Sequence, residues 1–123
     1  MPLWRETCSN QFSNGIQIYK KMIKGYTVIT LCGSTKFKEQ FLEVQKQLTL
    51  KGYIVISVGL FGHSGDNEVW KPGTKEMLDD MHKRKIDMAD EIFVINVGGY
   101  IGESTKSEIA YAKEIGKKVN YLE

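Results

Sequence analysis

The sequence lacks a strong excess of charge of either sign. Its 123 residues carry 17 basic and 15 acidic side chains, which leaves a formal net charge of +2. Proteins that attract nucleic acid or anionic membranes electrostatically concentrate many more basic groups on one surface. The composition therefore gives no reason to expect a nucleic-acid partner.

Long apolar runs are lacking as well. No stretch is long enough to span a bilayer, and the N-terminus has no apolar core of the kind that signal peptides carry. We therefore expect a cytoplasmic protein without a membrane partner. The length fits one domain, and 41% hydrophobic and 26% charged residues are ordinary values for a globular protein.

Cysteine is scarce, and motifs for metal binding are lacking. The two cysteines, Cys8 and Cys32, are too few for a disulfide framework. Cys32 falls within a predicted strand, and we interpret it as a small buried hydrophobic residue. No histidine and cysteine cluster has the spacing of a metal site, so we expect neither a metal nor another cofactor.

What the sequence does contain is an alternation of apolar, β-branched runs with helical periodicity over residues 26–123. The predicted strands are residues 26–32, 53–57, 91–97 and 118–121. The predicted helices run from a cap at Ser34 or Thr35 to about residue 51, from a cap at Thr74 to residue 89, and from about residue 104 to residue 116. Continuous apolar strands between helices are typical of a parallel sheet that is covered on both faces. We predict an α/β domain with strand order 2-1-3-4 and helices on both faces, preceded by an N-terminal arm of uncertain structure over residues 1–25.

In this strand order the chain changes direction across the sheet between its first and third strands. Ligands of such sheets bind at that point, beyond the carboxyl ends of the strands. The turn at Gly33, the loop over residues 58–73 and the loop over residues 98–103 converge there. Phe61 and Trp70 of the long loop suit stacking on a flat ring, and the glycines of that loop would let it close as a lid.

The turn Gly33-Ser34-Thr35 leads from the first strand into the first predicted helix. Ser34 or Thr35 would cap this helix, and Lys36 follows in its first turn. A cation is unfavourable at that position unless an anion binds nearby. Two interpretations stay open, a phosphate site and an ordinary helix cap followed by a solvated lysine.

Glu108 stands near the start of the last predicted helix, after a loop with three glycines. One interpretation is a capping box over residues 105–108, in which the glutamate bonds to the backbone of the cap residue. Alternatively, Glu108 faces the crevice beside Ala112 and acts as a nucleophile toward a sugar carbon. His82, on or beside the inward face of the preceding helix, is either a satisfied core histidine or a second site residue.

Three motifs in a fixed order carry a resemblance to a known family. They are Leu-Cys-Gly-Ser-Thr at residues 31–35, Ala-Asp-Glu-Ile-Phe-Val-Ile at residues 89–95, and Gly-x-Ser-x-x-x-Glu-Ile-Ala-Tyr-Ala at residues 102–112. With this order and spacing the chain resembles the nucleoside 2-deoxyribosyltransferase-like superfamily, near the 2'-deoxynucleoside 5'-phosphate N-hydrolases. The resemblance extends over residues 26–122.

The resemblance implies a flavodoxin-like sheet, a homodimer, and cleavage of the N-glycosidic bond of a nucleotide or nucleoside by hydrolysis or transfer. It matches Glu108 to the glutamate nucleophile of the family. It also implies that a 5'-phosphate binds at two loops, with Gly33, Ser34, Thr35 and Lys36 on one of them and Gly102 and Ser104 on the other. A small-molecule nucleotide or nucleoside is thus the expected partner.

Two positions depart from the pattern of the family. Thr30 stands where the family usually has a tyrosine that contacts the nucleophile, and His82 stands where it has an active-site aspartate. His82 would then act as an acid toward the leaving base or orient the sugar. The alternatives are a nucleotide sensor that binds in the same crevice without turnover, and a small interaction protein in which Glu108 only caps a helix.

Overall fold

A computed structural model describes residues 25–123, so the predicted N-terminal arm lies outside the described residues except for Gly25. Four strands alternate with three helices within this range. They are β1 Val28–Gly33, α1 Lys38–Leu50, β2 Ile54–Ile56, α2 Thr74–Met88, β3 Glu91–Ile95, α3 Glu103–Glu114 and β4 Lys118–Tyr121. Over the same residues, none of the helices combines the length and the apolar character that crossing a lipid bilayer requires.

The four strands form one parallel sheet in the order β2-β1-β3-β4. This confirms the predicted order, and the fold is an α/β fold of the flavodoxin-like type. The central strand β1 pairs with both of its neighbours, so that Thr30 lies between Ile56 of β2 and Ile92 of β3. The turns after β1 and β3 consequently lie side by side at one edge of the sheet, as the change of direction predicts.

Successive side chains of β1 enter two different cores because they point to opposite faces of the sheet. Leu31 packs with Phe41 of α1 in the core on one face. Cys32 packs with Ile86 of α2 and Ala112 of α3 in the core on the other face. All five side chains are fully buried. Helices α2 and α3 therefore cover the same face, which brings the residues on their inward sides together.

Some element boundaries differ from those that the sequence predicts. Thr74 was expected to cap α2, but it is the first helical residue, and Gly73 takes the cap position with φ at +82°. The third strand ends at Ile95, two residues early. Just beyond it the Asn96 side chain exchanges two hydrogen bonds with the main chain of Glu123, and Val97–Gly99 form a short 3-10 helix instead of continuing the strand.

Gly33 ends β1 where the chain turns into the crevice. Its φ is +153°, and a Cβ atom there would lie 2.8 Å from the carbonyl oxygen of Ile95 and 3.0 Å from the Cβ of Ile95. The obstacle is the backbone of the neighbouring strand, which cannot rotate away as a side chain can. A residue without a Cβ is thus required at this position.

We predict that Gly33→Ala lowers the free energy of unfolding by about 2–4 kcal/mol, because the added methyl group forces β1 and β3 apart. Urea denaturation measures this change. Gly59→Ala is the matched control, since nothing lies within 4 Å of a Cβ at that position. Equal losses for the two variants would contradict the steric explanation.

Candidate functional site

A cavity of about 240 Å³ opens beyond the carboxyl ends of β1 and β3. Its walls come from the turn after β1, the loop between β2 and α2, one side of α2, and the start of α3. The lining residues are Gly33, Ser34, Thr35, Val58, Gly59, Leu60, Gly62, His63, Val69, Trp70, Lys75, Leu78, Asp79, Met81, His82, Lys85, Tyr100, Gly102, Glu103, Ser104, Thr105 and Glu108. The predicted convergence of the three connecting segments is thereby confirmed.

Most of the residues that the sequence singled out line this one cavity. They are Gly33, Ser34, Thr35, Trp70, His82, Gly102, Ser104 and Glu108. Two others, Lys36 and Phe61, are not part of the lining. The structure therefore brings together the nucleophile candidate and both loops that were predicted to bind phosphate.

Phe61 was expected to stack on a ligand, and this expectation is wrong. Its side chain is buried in the core beneath α1, where its ring meets that of Phe41 edge to face with 5.4 Å between the ring centroids. The Asp66 carboxylate accepts a hydrogen bond from the Phe61 backbone at 2.7 Å, which holds the loop in this path. Trp70, which is about half exposed, is the large aromatic ring of the loop that reaches the cavity.

Lys36 was predicted to bind phosphate, but its ammonium group lies against aromatic rings. The Nζ atom is 3.6 Å from the centroid of the Tyr100 ring and 5.3 Å from that of Phe37. Such cation–π contacts stabilise a lysine without any anion. The lysines that line the cavity are Lys75 and Lys85, and neither was predicted to be a site residue.

The turn after β1 and the long loop are joined by hydrogen bonds at Thr35, which we call the Thr35 clasp. The Thr35 hydroxyl is 2.9 Å from His63 Nδ1 and accepts from the His63 backbone at 3.1 Å. The Ser64 hydroxyl donates to the Thr35 carbonyl at 2.8 Å. His63 is exposed, and its ring nevertheless has Thr35 as a partner. Thr35 therefore has a structural role in shaping the cavity wall.

Glu108 lies in the second turn of α3 and is 9% exposed. Because α3 begins at Glu103 with Gly102 as its cap, Thr105 is not a cap residue, and the capping-box interpretation of Glu108 is wrong. The Glu108 carboxylate instead lies 4.0 Å from His82 Nε2. That nitrogen is in turn 3.5 Å from the sulfur of Cys32.

Burial sets the protonation of these groups. Burial, with a smaller contribution from the negative charge of Asp79, raises the pKa of Glu108 to about 7. Burial, aided by the positive charge of Lys85, lowers the pKa of His82 to about 4. Burial also raises the pKa of the Cys32 thiol. Among residues 25–123, no lysine or arginine forms an ion pair with Glu108, and the positive charges of Lys83 and Lys75 only partly offset the effect of burial on its pKa.

Sequence reasoning missed several residues of the site. Lys75 and Asp79 precede His82 at helical spacing on α2, so the periodicity that identified His82 could also have identified them. Lys75 Nζ lies 2.8 Å from the Asp79 carboxylate and 3.3 Å from the Ser104 hydroxyl. Cys32 was interpreted as a core residue only. Its sulfur, together with His82 and Glu108, offers metal-ligating atoms that all lie within 4.8 Å of one another, an arrangement that spacing along the chain does not reveal.

Comparison with known proteins assigns no family to this geometry. Neither a protein-family model nor a curated protein matches the chain. The resemblance in the three motifs therefore stays a prediction, and the chemistry of the cavity has to be argued from its own residues.

We predict that Glu108→Gln stabilises the protein more at pH 8 than at pH 5. The raised pKa of Glu108 means that the folded state holds its proton up to about pH 7, whereas the unfolded state loses it near its ordinary value of 4.5. Burial of Glu108 therefore leaves the free energy of unfolding unchanged at low pH. As the pH rises from 4.5 to about 7, it lowers that free energy by on the order of 3 kcal/mol. A neutral amide avoids that decline.

Urea denaturation at the two pH values measures this effect. Glu114→Gln, at an exposed position of the same helix, is the control, and its difference from the unaltered protein should not depend on pH. If Glu108→Gln behaves in the same way as this control, Glu108 is solvated in the folded protein and the account of its burial is incorrect.

Proposed function

We propose that the protein cleaves the N-glycosidic bond of a nucleotide or nucleoside, with Glu108 as the nucleophile. The observation that carries this proposal is a buried carboxylate that faces the cavity without a cationic partner. When the base leaves, positive charge develops on the sugar ring. A carboxylate with little solvation stabilises this charge more in the transition state than in the neutral substrate, and such differential stabilisation is what accelerates a reaction.

In the proposed reaction the Glu108 carboxylate forms a bond to the anomeric carbon while the carbon–nitrogen bond breaks. The electron pair of the broken bond leaves with the base, which takes up a proton from water. Water or an acceptor base then attacks the sugar and releases Glu108. The lowered pKa of His82 makes its imidazole a poor acid at neutral pH, so we assign it to orienting Glu108 or the sugar hydroxyls.

The cavity offers groups for the other parts of a nucleotide. Trp70 presents a half-exposed ring on which a base could stack. At the start of α3, Gly102 occupies the cap position without a side-chain hydrogen bond, so the first N–H groups of the helix are free to meet an anion. Ser104 and Lys75 lie beside them. These groups favour a phosphorylated substrate over a nucleoside.

A nucleotide sensor is the second candidate function, and the surroundings of Thr30 favour it. The Thr30 hydroxyl donates to the Lys85 carbonyl at 2.9 Å, so it is engaged with α2 and not with Glu108. The family that the chain resembles usually has a tyrosine at this position that contacts its nucleophile. A site without that contact could bind a nucleotide and fail to turn it over.

The proposal includes a homodimer that works in the cytoplasm, and exposed apolar side chains support the dimer. Met77, Met81 and Met88 of α2 are 52%, 41% and 70% exposed. Their spacing along the helix places them on one side of α2, and exposed apolar side chains of this kind are common at protein interfaces. Light scattering would give the number of subunits.

We predict that incubation with a panel of ribo- and deoxyribonucleoside 5'-monophosphates and nucleosides releases free base from one class. Glu108→Gln should reduce the rate by about 1,000-fold or more, because the amide is a poor nucleophile. Glu114→Gln, exposed at the far end of α3, should keep full activity. Chromatography of the free base gives the rate.

The same panel separates the two candidate functions. No release of base, combined with a rise in melting temperature with one of the compounds, would replace the enzyme by the sensor. Release that is unchanged in Glu108→Gln would refute the role of Glu108 while leaving an enzyme.

We further predict that Lys75→Ala raises KM for a nucleoside 5'-monophosphate by about tenfold, because a charge-assisted contact to the phosphate is lost. KM for the corresponding nucleoside should change much less. Lys46→Ala, at an exposed position on α1, is the control for a general loss of positive charge. An equal change for nucleotide and nucleoside would show that Lys75 does not contact the phosphate.

A further inference from the structure

Three side chains of different chemistry meet at the inner end of the cavity. Cys32 comes from β1, His82 from α2 and Glu108 from α3. The sulfur of Cys32 is 3.5 Å from His82 Nε2, which is 4.0 Å from Glu108 Oε1. The three ligand atoms all lie within 4.8 Å of one another. We call these residues the Cys-His-Glu cluster.

We propose that the Cys-His-Glu cluster binds one zinc ion, with three protein ligands and a fourth position open to the cavity. Zinc binds thiolate at about 2.3 Å, imidazole at about 2.0–2.1 Å and carboxylate at about 2.0–2.2 Å in tetrahedral geometry, which puts ligand atoms about 3.4–3.6 Å apart. The observed spacing of the sulfur and the imidazole nitrogen already matches this. The carboxylate has to approach the nitrogen by about 0.5 Å, a shift within reach of a rotation of its side chain.

The donor set selects a soft or borderline divalent ion over the abundant hard ones. Calcium and magnesium need six or more oxygen ligands, whereas the cluster offers one sulfur and one nitrogen among its three donors. Thiolate and imidazole together suit zinc, and cobalt substitutes for it in the same geometry. Since three protein ligands leave one position free, the site has the form of open zinc sites and not of closed structural ones.

Charge balance gives the buried cluster a reason to accept a divalent cation. Binding releases the thiol proton to solvent, together with the Glu108 proton where that carboxyl group is protonated. It leaves one thiolate and one carboxylate, whose two negative charges match the ion. Without the ion, two such anions could not be buried side by side. The bound cluster is then neutral overall, which removes the main cost of burying charge there.

Charges of both signs act on the cluster, and the positive ones include Lys83 and Lys75, which act on Glu108. The positive charge of Lys85 acts on His82, and the ammonium is held 2.9 Å from the Ser57 carbonyl. The negative charge of Asp79 acts on both His82 and Glu108. A backbone hydrogen bond with Leu31 further holds the His82 ring, the kind of support that fixes histidine ligands in metal sites.

An ion can reach the cluster from the cavity. His82 and Glu108 line the cavity, whereas Cys32 lies behind them and is fully buried. The open coordination position therefore faces the space where a substrate would bind. The ion and a sugar that reacts with Glu108 cannot be bound productively together, so zinc should inhibit the reaction reversibly. This consequence, unlike the binding itself, rests on the proposed function.

The test is a titration of chelator-treated full-length protein with Co²⁺, followed by competition with Zn²⁺. We expect saturation at one ion per chain, with the absorption that thiolate-to-cobalt charge transfer produces. Cys32→Ser should remove this absorption and weaken Zn²⁺ binding by on the order of 100-fold. Cys8→Ser, which removes the only other cysteine, is the matched control and should keep both.

Two outcomes of this titration would overturn the site. One is the absence of saturable binding in the unaltered protein, and the other is absorption that survives in Cys32→Ser and disappears in Cys8→Ser. Should Cys32→Ser fail to fold, Glu108→Gln provides the second variant: it should keep the charge-transfer absorption but weaken Zn²⁺ binding by about tenfold or more. Undiminished affinity in that variant would contradict the three-ligand site.

Failure of the metal site and failure of the proposed enzyme are distinguishable. Cobalt absorption without release of base under any condition would leave the metal site and remove the glycosidase. Release of base by metal-free protein, unaffected by Zn²⁺ and without cobalt absorption, would leave the glycosidase and remove the metal site. Inhibition by Zn²⁺ that a chelator reverses in the unaltered protein, and that Cys32→Ser lacks, would support both.

Discussion

The site depends on the removal of one carboxylate from water. Glu108 is buried because α3 places Ile109 and Ala112 in the core against the sheet, and the neighbouring residue on that face has to follow. A buried carboxylate without a paired cation costs several kcal/mol. The two hydrophobic cores on either face of the sheet must supply this free energy. The buried Glu108 thus lowers the stability of an otherwise ordinary α/β fold, and local destabilisation of this kind is common at functional sites.

The fold could be predicted from the sequence because the strands of this parallel sheet are covered on both faces. Their sequences are therefore continuous apolar runs. Leu31 and Val94 stand in two such runs, and both are fully buried in adjacent strands. The ends of strands and helices were less predictable where a side chain forms hydrogen bonds with the main chain of a residue far along the sequence. Asn96 is such a case, since its partner Glu123 is 27 residues away.

The site was predictable only in part, because the direction of a side chain can be inferred on a helix but not in a loop. Helical periodicity placed Glu108 and His82 on inward faces, because the direction of a side chain on a helix follows from its position. The direction of a loop side chain follows from bonds that the sequence does not display. Phe61 points into the core because the Asp66 carboxylate accepts a hydrogen bond from its backbone and fixes the path of the loop. Lys36 lies against the ring of Tyr100, which is far from it in sequence and comes beside it only in the folded chain.

The Thr35 clasp has a consequence for the rate at which a ligand enters and leaves. The turn after β1 and the long loop are neighbouring parts of the cavity wall, and the bonds of Thr35 to His63 and Ser64 tie them together. Admitting a large ligand then requires several hydrogen bonds to break together. Association would be slower than diffusion allows, and a bound molecule would have a long residence time even where its affinity is modest.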